Sequence, residues 1–451
     1  MVNSRLQDQK KLKNAVILKN FAQIREILAK THQADIADVL KSLNRLKDKK
    51  VLIEQLEAEK VALVLNELES EEISQLLSML PDLKVTEVFE HMPYDDAADF
   101  LGELPESEQE KYLDLFDISS AEDLQELLSY KDDTAGGIMT TEFIAIPYNI
   151  SVDKAIKALR ENAVNAETVY YVYVINLKNQ LMGVISLREL IIASQDLMVS
   201  EVMKRNIISV NVNDDQEEVA KVVARYDFLA VPVVDDKNHL LGIITVDDVI
   251  DVIHEEAEED IYKMAGVSGL EDDINAKLTS TLRSRLPWLF VTLLGGFISG
   301  NVLSAFSNQL DKMVVLTFFI PLLAGMGGNV GTQSSTVTVR GIATGFINKE
   351  TVRKAITREL MIGVLIGGIM GSMVAILAYF WQYNMKLGIV VGLSMMANIF
   401  TAATMGTLVP LFFKRVGIDP AVASAPFITT AIDVLGLIIY STLASILLFV
   451  I

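Results

Sequence analysis

From Leu286 to the C-terminus the chain is dominated by five apolar stretches, roughly 286–307, 313–339, 359–381, 387–412 and 423–450. Each is long enough to cross the hydrocarbon core of a bilayer as a helix. Inside that core every backbone polar group has to be satisfied within its own segment, so the constraint settles the class before any other reading: an α-helical membrane protein with five transmembrane helices. The polar gaps orient it. Arg283 and Arg285 precede the first span, Arg340, Lys349, Arg353, Lys354 and Arg358 follow the second, and Lys414 and Arg415 follow the fourth, whereas the other two gaps hold only Lys312 and Lys386. Cationic loops stay on the cytosolic side, which predicts a multi-pass protein of the cell (inner) membrane with its N-terminal half in the cytosol and its C-terminus outside. The charged opening MVNSRLQDQKKLKN, with no apolar run and cleavage site, agrees.

The charges are divided as sharply as the apolar residues. From Ser284 onward there are ten Lys/Arg and five Asp/Glu, which leaves 29 basic against 54 acidic residues for the part before it. A soluble half this acidic repels nucleic acid and suits divalent cations as partners. The absence of cysteine excludes disulfides, thiolate metal sites and cysteine nucleophiles. All four histidines lie before the first span, so a transmembrane site for a soft transition metal lacks its usual ligands.

Residues 1–134 read as one short helix after another, with apolar residues three and four apart and Pro81, Pro93 and Pro105 between them, the pattern of a helical superhelix. From 135 the pattern changes to β-branched runs alternating with amphipathic helices, and it occurs twice, as an α/β pair over 135–198 and 199–258. GIMTTEFIAIPYNISVDKAIKAL aligns with EVMKRNIISVNVNDDQEEVAKVV at an offset of 64, and LMGVISLREL with LLGIITVDDV at 59, so the first copy holds five extra residues near Asn162 to Thr168. A connecting helix and linker over 247–284 leads to the transmembrane region, 285–451.

Asp433 is the one acid well inside a span, where a charge costs about 2.5–3.5 kcal/mol on insertion scales and is functional by default. Thr429 and Thr430 lie one turn before it, giving an oxygen-rich face of the kind that holds a hydrated magnesium ion. The other reading is a protonated Asp bonded to a neighbouring helix. In PLLAGMGGNVGTQSS four glycines surround Asn329 and Gln333, and glycines at this density are expected to loosen the helix and turn carbonyls towards a pore. Gly296/Gly300 and Gly363, Gly367 and Gly371, at four-residue spacing, read instead as helix packing, while Asn398, Thr401 and Thr404 are weaker pore candidates. VDDVIDVIHEEAEEDIYKM carries Asp247, Asp248, Asp251, Glu255, Glu259 and Asp260. Such a run is either a solvated face or a gating helix whose charges repel until a divalent cation bridges them. Asp95 and Asp96, beside Pro93, taken alone are favourable residues at a helix N-terminus.

Together these pieces resemble the MgtE magnesium channels and transporters, with a tandem pair of CBS domains over 135–258. The segments that carry the resemblance are MPYDDAADFLGELPE, GIITVDDVIDVI with EEDIYKM, PLLAGMGGNVGTQSS and DPAVASAPFITTAIDVLGLIIY, and it covers essentially the whole chain. It implies a magnesium-selective path along the axis of a homodimer in the lipid bilayer, with Asp433 as ligand of hydrated magnesium. It also implies closure when Mg2+ binds the acidic cytosolic domains, with Asp95, Asp247, Asp248, Asp251, Glu255, Glu259 and Asp260 at or near the sensing positions. Glu359 and Asp419 match peripheral metal sites. CBS pairs bind adenine nucleotides through a Ser/Thr-x-x-Asp turn, which Thr245 and Asp248 supply and which Ser186 and Glu189 supply only in altered form, so one ATP site per chain is implied. The chain departs from the family at Ala425, where an Asn is usual. Mg2+ is thus the expected ion, with a divalent-cation secondary transporter or exporter that also takes Mn2+ and Co2+ as the alternative, although no second buried acid is present to relay protons. An anion channel would call for basic pore groups. A membrane-anchored enzyme would show a phosphate loop or a histidine near a nucleophile, and neither is present.

Overall fold

The computed structural model describes residues 2–68, 70–116, 118–163, 166–267, 278–423 and 425–449. The chain forms two compact units, Met1–Ile253 and His254–Ile451.

The first unit begins with ten short helices: α1 (Val2–Ile17), α2 (Phe21–Leu28), α3 (Gln33–Ser42), α4 (Leu46–Ile53), α5 (Ala58–Leu65), α6 (Ser70–Leu77), α7 (Asp82–Phe89), α8 (Tyr94–Gly102), α9 (Glu106–Leu113) and α10 (Ile118–Leu127). Pro81, Pro93 and Pro105 each stand immediately before a helix, where the missing N–H costs nothing. After the 16-residue α1, helices of eight to ten residues are too short to stand alone. They stack every second one on the next, α1 on α3, α3 on α5 and α5 on α7, burying a continuous row that includes Leu12, Ile36, Leu40, Val61 and Leu65. A lysine closes this stack twice. Lys60 Nζ donates to the carbonyls of Leu28 and Thr31 at the end of α2, and Lys84 Nζ donates to those of Ile53 and Leu56, at 3.2 and 2.8 Å, at the end of α4. Each ammonium satisfies helix carbonyls that have no intrahelical partner and offsets the negative end of the dipole.

The repeated segment folds as two copies of one motif. β1 (Ala145–Pro147), α11 (Val152–Asn162), β2 (Tyr171–Ile175), β3 (Leu181–Ser186) and α12 (Leu187–Ile192) form the first copy. After the single turn α13 (Val199–Val202), the second consists of β4 (Val210–Asn211), α14 (Gln216–Tyr226), β5 (Ala230–Val234), β6 (Leu240–Thr245) and α15 (Val246–Ala265). In both, the first strand is parallel and the third antiparallel to the middle one, with Ala145 opposite Tyr173 and Val210 opposite Val233. The copies exchange edges. Thr140, ahead of the first copy, trades backbone hydrogen bonds with Ile243 in β6, and Lys204, ahead of the second, does the same with Val184 in β3. The offsets of 64 and 59 read from the sequence relate these pairs to each other. Gly183 and Gly242 permit the exchange, since a Cβ at either would lie within 2.8 Å of the sulfur of Met203 or Met139. The five-residue excess falls between α11 and β2, where residues 164 and 165 lie outside the described residues.

Five helices of the described residues are long and apolar enough to cross a membrane. They are α16 (Leu278–Ala305), α18 (Ile320–Ala343, entered through a 3₁₀ turn, Val314–Phe319), α19 (Val352–Gln382), α20 (Met385–Arg415) and α21 (Ala425–Phe449), with the short α17 (Ser307–Lys312) after the first. α20 is central, touching α18, α19 and α21 through buried Val391, Met395, Ile399 and Ala402, while α16 leans on α21. The helices start earlier than the apolar stretches, at Leu278 instead of 286 and Val352 instead of 359, because hydropathy marks the bilayer core and helical hydrogen bonding runs on into polar flanks. The linker expected within 247–284 falls partly on 268–277, outside the described residues.

Replacing Lys84 by Met keeps the stem and removes both carbonyl contacts. Thermal unfolding of the purified chain should show a loss of about 1–2 kcal/mol, the size of hydrogen bonds to a charged group; an unchanged midpoint would show that water serves those carbonyls equally well.

Candidate functional site

The membrane unit holds its polar groups on two faces. Asp433 is half-buried on α21, and Thr429, one turn earlier, turns its hydroxyl back to the carbonyl of Ala425 at 2.7 Å while its methyl lies against α18. α18 is a continuous helix, so the expected loosening at the glycine cluster does not occur. Its glycines serve closeness instead. A Cβ at Gly327 would meet Asn398 and Ile432, one at Gly328 would lie 3.2 Å from the Thr429 methyl, and one at Gly331 would strike Ile432. With those residues turned inward, Gly325, Asn329 and Gln333 form a stripe on the exposed face of the same helix. An Asn and a Gln exposed at membrane depth have no place against lipid and face either water or another copy of the chain.

Asn398 is 1% exposed and donates from Nδ2 to the Leu323 carbonyl at 2.7 Å, which makes it a clamp on α18. Thr401 and Thr404 bond back to their own helix. Gly363, Gly367 and Gly371 pack on α20 as their spacing suggests, whereas a Cβ at Gly296 or Gly300 would meet nothing within 4 Å among the described residues. Glu359 accepts a 3.4 Å hydrogen bond from Ser334. Asp419 is held by Lys263 at 2.6 Å, and the same ammonium lies 2.6 Å from Glu259, so one cation is shared by both carboxylates. Among the described residues no three His, Asp or Glu side chains of one chain converge to hold a metal ion.

The cytosolic unit brings acids together from distant segments. Asp95 and Asp96 stand in the first turn of α8, as a plain helix N-terminus would have them, but Asp95 is only 7% exposed. They face Asp248 at the start of α15 and Glu167 from the loop after α11. Burial, then the charge of Asp248, holds the Asp95 carboxyl well above its usual range. Burial, again followed by Asp248, lifts Asp96 to about 7, against a hydrogen bond from Asn66. Burial raises Asp248 to about 6, although the Thr245 hydroxyl and N–H both donate to it. Glu142 accepts the N–H of Tyr94 at 3.2 Å, capping α8 from outside its domain, and burial takes it to about 7. Burial, with Asp248 and Asp247, also raises Glu167. A cavity of about 510 Å3 opens beside this contact, lined in part by Glu59, His91, Tyr94, Glu142 and Glu167. No Lys or Arg forms an ion pair with Asp95, Asp96 or Asp248 among the described residues.

Asp247 accepts from the Thr245 hydroxyl at 2.6 Å, Asp251 and Glu255 are exposed further along α15, and Asp260 is half-buried near its end. Glu142 and Glu167 were missed in the sequence. Glu167 had a signal, since it lies in the five-residue excess of the first copy, but Glu142 had none. In the expected nucleotide turn, half-buried Asp248 accepts from the Thr245 hydroxyl and N–H. In the first copy Ser186 and Glu189 form a capping box, and beside it lies an open cavity of about 450 Å3 lined by Tyr170, Tyr171, Arg188, Ile191, Ile192 and Leu229.

The raised carboxyls fix a pH dependence. Their protons are held more tightly in the folded contact than in the unfolded chain, so their contribution to stability is complete below the ordinary carboxylate range and is lost as pH rises towards about 7. The melting temperature of the cytosolic unit should therefore fall between about pH 5 and about pH 8, and Asp96→Asn should flatten the fall. A melting temperature that rises over that window would contradict the burial of these groups.

Comparison with known proteins agrees with this division. A divalent cation transporter model, MgtE, matches residues 320–443, the MgtE intracellular N domain matches 31–133, and CBS domains match 135–196 and 199–255. The magnesium transporter MgtE of Enterococcus faecalis is 42% identical over 72% of this chain and 71% of its own length, and that of Bacillus subtilis is 40% identical over 78% of each. A crystal structure of the cytosolic domain of the Mg2+ channel MgtE in complex with ATP is 36% identical and covers 54% of this chain and 99% of its own, with a TM-score of 0.52. Matched along both its cytosolic domains and its membrane spans, the chain belongs to the MgtE family of divalent cation transporters.

Proposed function

We propose that the chain carries Mg2+ into the cell along a path between two copies, and that its acidic cytosolic unit closes this path when cytosolic Mg2+ is high. The observation that supports the reading most is that buried Asp95 faces half-buried Asp96 and Asp248 and the more exposed Glu167, with no Lys or Arg ion-paired to any of them among the described residues. Such a contact is stable only when protons or a multivalent cation neutralise it. The relatives are magnesium transporters, which selects the cation.

In the membrane the path is lined by Asp433 and Thr429 on α21 and by Asn329 on the exposed stripe of α18. Magnesium dehydrates reluctantly, so oxygen groups that hold it through its water shell suit its passage. Among the described residues one chain does not assemble a three-acid site, and pairing α18 and α21 with their counterparts in a homodimer doubles the donors. Glu359 is a peripheral site at the cytosolic end, and the C-terminus lies outside.

Regulation follows two-state logic. A ligand shifts an equilibrium only by its differential affinity. At low Mg2+ the ionised contact repels, α8 leaves α15 and the path opens; at high Mg2+ the paired acids bind the ion and the closed state gains. Asp247 and Asp251 border the contact, and Glu255 and Asp260 extend the acidic run along α15. ATP takes the cavity beside Ser186, its base against Tyr170 and Tyr171 and its phosphates towards Arg188, with the Thr245–Asp248 turn as the other candidate. The domain limits that go with this reading are 1–134, 135–198, 199–258, a connecting segment 247–284 and a pore domain 285–451.

Mg2+ uptake into liposomes containing the purified chain tests both halves. Asp433→Ala should reduce uptake to about a tenth or less, the cost of one lost contact to a charged group. Native uptake should fall as Mg2+ rises on the cytosolic face. Normal uptake by Asp433→Ala would make that carboxylate structural and move the ion site to Asn329 and Gln333.

A further inference from the structure

We propose that Lys263 is a built-in cation that latches the end of the connecting helix to the last span, filling the place between Glu259 and Asp419 that a divalent ion would otherwise take. The Lys263 ammonium lies 2.6 Å from Glu259 Oε1, one turn back on α15, and 2.6 Å from Asp419 Oδ2, in the loop that leads into α21. The other oxygen of Asp419 accepts the Ala421 N–H at 2.8 Å, so this carboxylate is engaged on both sides. Burial works against the ammonium, but the hydrogen bonds of Asp419 and Glu259 outweigh it and raise Lys263.

A second contact fixes the same helix end. α15 stops at Gly266, whose φ of +77° suits glycine and whose N–H donates to the Lys263 carbonyl at 3.0 Å. A Cβ there would meet Pro426 Cγ at 2.6 Å and Trp288 Cβ at 3.5 Å, so the backbone of α15 rests directly on the first turn of α21. Pro426 is two helical turns before Asp433 on the same helix. Movement of the end of α15 is thereby passed to the helix that carries the proposed ion ligand. The docking of this end needs no Mg2+, which leaves the Mg2+ dependence to the contact around Asp95 and Asp248 and makes Lys263 the residue that transmits it. The role in gating rests on the function proposed above; the latch itself does not.

Zero-length carbodiimide cross-linking of the full chain, read by mass spectrometry, tests the latch. An amide between Lys263 and Asp419 is expected, with Lys49 and Glu72, also 2.6 Å apart, as the internal standard. Linkage of Lys49 to Glu72 without linkage of Lys263 to Asp419 would overturn it. In liposomes that show Mg2+-closed uptake, Lys263→Gln should raise the closing Mg2+ concentration roughly 3–10-fold, as expected for one charge-assisted bond, with uptake at low Mg2+ unchanged. Lys263→Arg should restore closure, and adding Asp419→Asn to Lys263→Gln should shift it no further. An unchanged closing concentration in Lys263→Gln would refute the transmitting role. Native chains that take up no Mg2+ would refute the transport reading, and the cross-link would still decide the latch.

Discussion

Acids gathered without a basic partner are the constraint the cytosolic unit depends on, and they meet where buried Asp95 and half-buried Asp96 face Asp248 and the more exposed Glu167. Like charges in one buried site raise one another's affinity for protons, and the same field raises their affinity for a divalent cation. The surrounding fold holds the acids there. The helical stack presents α8, the second copy of the repeat presents the start of α15, and Glu142 caps α8 from the first copy. Under the proposed function the stability of this arrangement is set by what neutralises it, which is what a sensor requires.

The membrane unit solves a different problem, since helices gain little from apolar contact within lipid and associate through close packing. Gly327, Gly328 and Gly331 bring α18 against α20 and α21, and Asn398 clamps it. The residues left on the free face of α18 include Asn329 and Gln333, which are polar at a depth where polarity is costly. The glycine cluster thus fixes which face of an intact helix is turned outward, the face that the proposed path uses. Asp433 lies on α21, the helix against which the opposite, glycine-bearing face of α18 is packed.

Periodicity and length made most of the architecture legible in the sequence. Five apolar stretches give five spans, and the paired offsets of 64 and 59 anticipate two copies of one motif, because each offset reflects a strand or helix that recurs in place. Ion-site candidates on single helices, such as Asp433 and Thr429, were readable for the same reason. What was not readable depends on chain segments far apart meeting. Glu142 reaches α8 across 48 residues and Lys263 reaches Asp419 across 156, and neither has a local pattern. The glycines around Asn329 were misread because density alone does not say whether a glycine breaks a helix or admits a neighbour. The second demand on Asp248, from Asp95, was not readable in the Thr245–Asp248 turn because Asp95 lies 153 residues away in the chain.

The account stands on the helical domain moving relative to the CBS pair as the acidic contact is neutralised. The chain has no cysteine, so spin labels can be placed at two exposed positions alone, Leu83→Cys on α7 and Leu177→Cys in the turn before β3. Pulsed electron-spin distances between them should be narrow and short with saturating Mg2+, and longer and broad without it at mildly alkaline pH. A single unchanged distance under both conditions would mean that the contact does not open, and would contradict the central claim.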